Sequence, residues 1–175
     1  KKNFNDLIKD YSEISGLFTF YYKEDKNKCY VSIKPEQLEE IYLLSLTRQS
    51  GDGYQFDGSS MLGEFPFYFN KMGERIQLIM KNTKFRANPD SAISRVLNSH
   101  VPNSIISSGG IESSPHPETG ALLIDAKNFF IYDISNVINR TEGKYRLDKE
   151  NSSYNYIPSY PMNSEIDVLS SFSSS

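Results

Sequence analysis

The first residues of the chain show the period of a helix. Apolar side chains recur with i, i+3, i+4, i+7 spacing, and polar or charged residues fill the positions between them. These apolar residues are Phe4, Leu7, Ile8 and Tyr11. Such spacing places one apolar stripe along a helix. The sequence therefore predicts a short helix over residues 4–11 that packs on the main body.

The pattern then changes to the alternation that is typical of strands. Apolar runs at residues 17–22 and 29–33 flank a polar turn, which predicts a β-hairpin with Cys29 as a core residue. A proline followed by an acidic residue predicts a single helical turn over residues 34–38. The apolar run over residues 41–47 predicts the next strand.

The clearest hairpin lies in the middle of the chain. Three phenylalanines alternate over residues 65–69, and apolar residues alternate again over residues 76–80. Pro66 points away from the phenylalanines and cannot donate to a ladder, so we expect this strand at a sheet edge or with a bulge. Residues 48–60, rich in Gly, Ser and Asp, predict a long loop of the kind that is often functional or disordered.

The second half of the chain mixes short helices and strands. The sequence Asn88-Pro89-Asp90 predicts a helix start with Asn88 as the N-cap, and the helix ends before Pro102 after about ten residues. The remaining predicted elements are a strand over 104–112, a strand over 121–124, a helical stretch that Asp125 caps and that contains Ile134, an irregular tyrosine-rich stretch over 140–161, and a closing strand around 166–168.

These elements predict an α+β fold with a mostly antiparallel β-sheet built from hairpins and two or three short helices. The length of 175 residues fits one domain, with the helix over 4–11 and a β-rich body over 16–172. The chain does not begin with methionine, and no signal-peptide pattern precedes Phe4. We therefore expect the sequence to be a segment of a longer chain.

Composition narrows the function classes. The 19 basic and 22 acidic residues give a formal net charge of −3, which disfavours nucleic acid and anionic membrane as partners. No apolar run approaches the ~20 residues that span a bilayer, so a soluble chain is predicted. The single cysteine, Cys29, excludes an internal disulfide and a cysteine-based zinc site.

The familiar catalytic motifs are absent from the sequence. Neither His100 nor His116 lies in an H-E-x-x-H helix, and we interpret them as a helix-end residue and an exposed loop residue. The sequence Gly58-Ser59-Ser60 lacks the second glycine of a nucleophile elbow, and no phosphate-binding glycine motif occurs. We predict no catalytic, cofactor-binding or metal-binding residue within this segment.

Carboxylates supply the weaker candidates for chemistry. A calcium site in and after the long loop would use Asp52, Asp57 and Glu64, but the spacing of an EF-hand is not met and ordinary turn chemistry is the favoured interpretation. Paired carboxylates can also act as acid and base, although most such pairs are solvated. The pairs are Glu39 with Glu40 and Asp148 with Glu150.

An aromatic strip near the end of the chain allows two interpretations. It consists of Tyr154, Tyr156 and Tyr160 together with Pro158 and Pro161. Tyrosines on a proline-ordered backbone can form a ligand platform or an interface. The favoured interpretation is that the strip closes over the core.

Several segments carry a family resemblance through their order along the chain. They are 16–21, 33–38, 42–43, 50–53, 63–67, 81–82 with 85–87, 111–113, 123–125, 145–148 and the Pro161-x-Asn163-x-Glu165-Ile166 sequence. This ordered set resembles the uncharacterised domain that precedes the catalytic domain in large bacterial zinc metalloproteases of the met-zincin type. The resemblance covers residues from about 10 to 172 and is greatest to the cyanobacterial branch.

The resemblance implies a non-catalytic accessory domain of a zinc-dependent metalloprotease. In that family the zinc-binding H-E-x-x-H-x-x-G-x-x-H helix follows this domain, so zinc and hydrolase activity are expected beyond residue 175. The expected partner is the downstream protease domain of the same chain and, through it, a peptide or protein substrate. The resemblance also implies export to the periplasm or the extracellular space.

The accessory-domain hypothesis predicts an apolar face above ~400 Å² that the chain itself leaves uncovered. The alternative is a stand-alone peptide- or glycan-binding module that uses the 48–60 loop, the aromatic strip or an added strand along residues 65–69. A small hydrolase using loop carboxylates is a third hypothesis. Arg48, Asp52 and Arg86 are polar residues inside apolar matched segments, and they are the first positions for mutation without an assigned role.

Overall fold

A computed structural model describes residues 1–51, 58–133 and 135–174 of the chain. Most of these residues lie in antiparallel β-sheets, and the few helices are short, which confirms the predicted β-rich, mostly antiparallel architecture. The helices are α1 (Phe4–Ile8), α2 (Ala92–His100), α3 (Lys127–Phe130) and α4 (Val137–Arg140), with 3-10 turns at Glu24–Lys26 and Pro35–Gln37. The strands are β1 (Ser12–Ile14), β2 (Thr19–Lys23), β3 (Lys28–Ile33), β4 (Tyr42–Arg48), β5 (Ser60–Met72), β6 (Arg75–Met80), β7 (Ser104–Gly110), β8 (Leu122–Asp125), β9 (Tyr145–Tyr156), β10 (Ser159–Tyr160), β11 (Asn163–Ser164) and β12 (Asp167–Ser174).

Two four-stranded sheets enclose the main core. Sheet one has the order β1-β2-β3-β8, and sheet two has the order β4-β5-β6-β7. Phe20, Val31 and Ile124 from sheet one share a cluster of buried side chains with Phe69 and Leu78 from sheet two. Burying each such side chain contributes roughly 1.5–3 kcal/mol, so these contacts join the two sheets.

The other face of sheet one is covered by α1. Phe4 is buried there with Tyr21, Tyr30 and Leu123, and its ring meets the Tyr21 ring edge-on at 5.9 Å. The Asn3 side chain caps the helix, because its Oδ1 accepts the Asn5 N–H at 2.9 Å. One side of the fold is therefore closed by the chain's own first residues.

A two-stranded ribbon of β9 and β12 closes another part of the main core through Tyr154. The segment after β9 also meets sheet one. Gly16, between β1 and β2, approaches β10 so closely that a Cβ on it would lie 2.6 Å from the Tyr160 backbone nitrogen. The next residue, Leu17, donates its N–H to the Tyr160 carbonyl at 2.6 Å. Gly16 is therefore required by a close approach of two backbones, which no larger residue permits.

Several predicted boundaries change in the structure. Helix α1 ends at Ile8 and not at residue 11, although the Tyr11 N–H still donates to the Ile8 carbonyl at 2.9 Å. The stretch predicted as irregular over 140–161 contains the twelve-residue strand β9. The N-cap of α3 is Ala126 and not the predicted Asp125, although the Asp125 carboxylate still accepts the Lys127 N–H at 3.0 Å. The predicted helical stretch is divided into α3 and α4, and Ile134 lies outside the described residues.

Of the two alternatives predicted for the strand over residues 65–69, the edge position is wrong, because β5 lies between β4 and β6. The strand does carry a register shift against β4, between Met61 and Gly63. The Pro66 carbonyl accepts the Lys81 N–H at 2.8 Å, so the backbone of Pro66 faces the β6 side. Strand β6 ends at Met80, and the pairing with β5 starts at Phe67. The N–H that proline lacks would therefore point just beyond the end of β6, where an interior strand tolerates its loss.

Helix α2 has the predicted length but a different cap. Its N-cap is Ser91, whose hydroxyl accepts the Ser94 N–H at 3.0 Å, and not Asn88. Asp90 adopts the left-handed region with φ 68°, so the chain turns once more before the helix starts. Asn88 takes part in that turn by accepting the Ser91 N–H at 3.2 Å.

Candidate functional site

The outer face of sheet two is the main candidate surface. Side chains alternate between the two faces of a strand, and Phe67, Phe69 and Leu78 point into the core. Their neighbours therefore point outward. We define the outer face by the outward residues Leu43, Pro66, Tyr68, Ile79 and Ile105.

Apolar side chains on this face reach solvent. Leu43 is 66% exposed and Ile105 is 59% exposed, and Ile41, just before β4, is 53% exposed. Ile79 lies between the neighbouring strands β5 and β7 and is buried. Leu43 and Ile105 lie on the two edge strands of the sheet, β4 and β7, and share one face. Exposed apolar side chains on one face are typical of a surface that another protein or segment covers.

A groove of about 410 Å³ crosses this sheet beside the apolar residues. Asn103 holds one wall, because its Nδ2 donates to the Tyr68 hydroxyl at 3.2 Å and its Oδ1 accepts the Asn82 N–H at 2.9 Å. Glu39, Ile41, Asn70 and Lys81 complete the lining. The groove offers one aromatic ring, two amides and one charge of each sign, which suits recognition by contact and hydrogen bonding.

Helix α2 presents further apolar side chains to solvent. Ile93 and Val96 are more than half exposed, although they lie on one side of the helix as the sequence predicts. Phe85, in the segment before the helix, is exposed as well. An amphipathic helix normally buries its apolar stripe, so these residues also indicate a surface suited to a partner.

The structure places the two histidines at separate positions. His100 ends α2 and is exposed, with its Nδ1 2.7 Å from the Ser99 hydroxyl. His116 lies in a loop as predicted, but it is half-buried, since its ring meets Phe4 edge-on at 4.8 Å. Within the described ranges, no three His, Cys, Asp or Glu side chains lie close enough together to hold a metal ion.

The loop candidates give little chemistry. Asp52 and Asp57 lie outside the described residues, and Glu64 is exposed on β5. Arg48 ends β4, where its Nε donates to the Gly58 carbonyl at 2.9 Å. Arg86 is exposed in the segment before α2.

Of the two carboxylate pairs, Asp148 and Glu150 have structural contacts, whereas Glu39 is held through its backbone. Asp148 accepts the N–H groups of Glu150 and Asn151 and the Asn151 side-chain amide, and the hydrogen bonds from Asn151 lower the pKa of Asp148. Glu150 forms an ion pair with Lys127 at 3.3 Å. Glu39, with φ 63°, donates its N–H to the Phe69 carbonyl at 2.8 Å.

The aromatic strip divides between core and surface. Tyr154 closes over the core, as the favoured interpretation held, and its ring meets Tyr22 edge-on at 6.0 Å. Tyr156 is 62% exposed and Tyr160 is half exposed. A register shift against β12 separates Tyr154 from Tyr156, so two tyrosines with strand spacing differ in burial. The proximity of Tyr156 raises the pKa of Tyr160.

Cys29 is fully buried, as predicted from its place in the first hairpin. Burial raises the pKa of its thiol, which keeps it protonated and unreactive. Nothing at this position indicates a nucleophile.

Sequence reasoning missed the outer face, although a signal was present. Apolar residues stand next to one another, without a polar residue between them, at 41–44, 78–80 and 105–106. A strand with one solvated face alternates, whereas consecutive apolar residues indicate that both faces are meant to be covered.

Comparison with known proteins gives one match. A family model described as a domain of unknown function, DUF5117, matches residues 59–175, two thirds of the chain. No curated protein and no solved structure matches. In the described part of the chain, the helices are all too short or too polar to cross a bilayer.

Proposed function

We propose, from the premise that the chain belongs to the DUF5117 family, that it is a non-catalytic accessory domain of a zinc-dependent metalloprotease. Its outer face packs against the catalytic domain of the same protein. The fold that carries this face belongs to the α+β class, with antiparallel sheets built mainly from hairpins. Zinc, hydrolysis and the bound substrate belong to the partner domain, and the protein is exported.

The exposed apolar residues of the outer face carry this proposal. Sheet two is covered by the core on one side, and on its other side Leu43 and Ile105 stay more than half exposed. Covering such side chains stabilises an interface by about 25 cal/mol per Å² of apolar surface removed from water. The resemblance to the domain before a met-zincin catalytic domain supplies the identity of the partner.

The first test is the gene downstream of residue 175. An H-E-x-x-H-x-x-G-x-x-H helix encoded there supports the proposal. A stop codon soon after Ser175 removes the protease and overturns it.

The second test uses the parent protein. Leu43→Asp combined with Ile105→Asp is expected to split a single thermal unfolding transition into two and to speed cleavage between the domains by added trypsin. Met162→Asp is the matched control, because Met162 is 87% exposed and lies between β10 and β11 and not on sheet two. Equal behaviour of the two proteins contradicts packing through the outer face.

The groove beside the outer face favours a second candidate, a stand-alone peptide- or glycan-binding module. Tyr68 and Asn103 combine an aromatic ring with an amide, which is a common arrangement in recognition sites. In this case the 175-residue chain alone binds a peptide or glycan from an array, and Tyr68→Ala abolishes binding. This candidate is excluded if the wild-type chain binds neither array, or if Tyr68→Ala keeps both its fold and its binding.

A further inference from the structure

Strand β4 forms one edge of sheet two, and among the described residues its only strand neighbour is β5. The hydrogen bond of Pro66, on β5, shows which way the N–H and carbonyl groups of β4 point. Since Pro66 faces β6 through its carbonyl, its register partner Leu43 points its N–H and carbonyl away from β5. The same groups of Ser45 point outward by alternation, and the register shift of β5 against β4 comes after it, between Leu46 and Thr47. Leu43 and Ser45 therefore present a row of hydrogen-bonding groups at the edge.

This edge lacks the usual protection against pairing. Natural edges are short, bulged or carry lysine and proline. Strand β4 has seven residues, Tyr-Leu-Leu-Ser-Leu-Thr-Arg, and Arg48 at its end is the only charge. The edge strands of sheet one, β1 and β8, have only three and four residues. The unprotected edge is therefore a distinct feature of sheet two.

We propose that β4 pairs antiparallel with β4 of a second copy of this chain, across a two-fold axis at Leu44. In this register Leu44 lies opposite Leu44, and Tyr42 lies opposite Leu46 of the other copy. All three are half-buried in each copy; Tyr42 and Leu44 pack against the core, and Leu46 lies on the same face by alternation. The two core faces then form one continuous surface of an eight-stranded sheet.

The hydrogen bonds and charges agree with this register. The outward groups of Leu43 lie opposite those of Ser45, as a hydrogen-bonded pair requires. Exposed Glu40, two residues before β4, would come close to Arg48 of the other copy, so each end of the pair would bring together opposite charges. A parallel arrangement in register would place Glu40 beside Glu40 and Arg48 beside Arg48. A shift by one residue would turn the core-facing side chains to the outer face.

The second copy is favoured over an unrelated peptide because β4 is complementary to itself in shape and charge. A closed two-fold interface of this type uses the same patch on both copies. Pairing of one strand buries less than the ~1,200 Å² of a standard interface, so the dimer is expected to be weak, on the order of micromolar or weaker. The pairing uses the edge and not the outer face, so it is independent of the accessory role proposed above.

A disulfide trap tests the register. The two copies of Leu44 would lie ~4.5 Å apart between Cα atoms, as in a non-hydrogen-bonded pair, and this separation admits a disulfide. Leu44→Cys is therefore expected to form a covalent dimer under mild oxidation. Leu46→Cys is the matched control, because its two copies would lie roughly 14 Å apart. Native Cys29 is fully buried and adds no background.

Charge exchange tests the same contact without a covalent bond. Glu40→Arg and Arg48→Glu each place like charges opposite each other, and each is expected to weaken dimerisation at least tenfold by sedimentation equilibrium. A mixture of these two variants is expected to restore it as a heterodimer, because one ion pair then forms with reversed sign and the other forms as in the wild type. Circular dichroism of each variant checks that the fold is kept.

The proposal is overturned if wild-type chain stays monomeric up to millimolar concentration. It is also overturned if Leu44→Cys forms no more covalent dimer than Leu46→Cys, or if the mixture of charge variants does not dimerise while both are folded. Binding of an extended peptide by a chain that stays monomeric would assign the edge to another occupant.

Discussion

The outer faces of the two sheets differ in what covers them. On sheet one, α1 brings Phe4 onto Tyr21, Tyr30 and Leu123, and Phe4 is 1% exposed. On sheet two, the outward Ile79 is buried between its neighbouring strands, but the outward Leu43 on the edge strand β4 stays 66% exposed. The difference shows that an apolar outward face is completed by a separate element. Where the described chain supplies that element the face joins the core, and where it does not we infer a partner.

Removal of the Phe4 ring should produce the largest difference between the faces. Phe4→Ala is expected to lower the free energy of unfolding by about 3–5 kcal/mol, because it leaves a cavity under α1. Leu43→Ala on sheet two should change it by less than about 0.5 kcal/mol, because that side chain is largely solvated. Urea unfolding of the two variants measures both values. Equal losses would mean that the faces do not differ in their contribution to stability.

Loss of the helix cap should have an intermediate effect. Asn3→Ala removes the acceptor for the Asn5 N–H and is expected to cost about 1 kcal/mol. Asn3→Asp keeps an acceptor and serves as the control, with stability close to that of the wild type. Thermal unfolding followed by circular dichroism makes the comparison. A full loss in the aspartate variant would show that the cap does not act through this hydrogen bond.

The smallest expected effect is a loss of stability at alkaline pH that comes from the covered face of sheet one. Burial, and then the neighbouring Tyr11 and Glu112, raise the pKa of Tyr30 above its ordinary value of 10.0. The folded state therefore favours the protonated phenol, and this contribution is complete below pH ~10 and is lost as the pH rises through the folded pKa. Burial raises the pKa of several other tyrosines, Tyr154 among them, so absorbance titration at alkaline pH should show delayed ionisation of a group of tyrosines. Tyr30→Phe should reduce that group by one.

Unfolding at pH 8 and above pH 10 supplies the complementary readout. The wild type should lose stability over this interval, and Tyr30→Phe should lose less. An unchanged pH dependence in Tyr30→Phe would contradict the assignment of this effect to the covered face.

The hairpins could be predicted because alternation reports a local property of the chain. Phe65, Phe67 and Phe69 alternate, and the β5–β6 hairpin follows. The neighbour of a strand is a non-local property. The proline rule predicted an edge or a bulge at this strand, but β4 pairs on the other side of Pro66, and the missing N–H falls past the end of β6. Only the register between strands shows this.

The position of the candidate surface could not be predicted from the sequence. The accessory-domain hypothesis predicts an uncovered apolar face, but the residues of the outer face come from four strands, as Leu43 on β4 and Ile105 on β7 show. The aromatic strip illustrates the same limit. A bulge opposite β12 buries Tyr154 and exposes Tyr156, and no periodicity in the sequence marks that bulge.

The pairing of β3 with β8 limits where the domain can be cut into separate pieces. Strand β8 lies within the matched region 59–175, while its partner β3 and the strands beyond it lie before that region. A protein shortened to the matched region would keep Ile124 but lose Val31 and Phe20, the other half of its core layer. Gly16 adds a second link across the same boundary through its close approach to Ser159 and Tyr160. The first 58 residues and the rest therefore form one folding unit, and the boundary of the family match at residue 59 divides a single hydrophobic core.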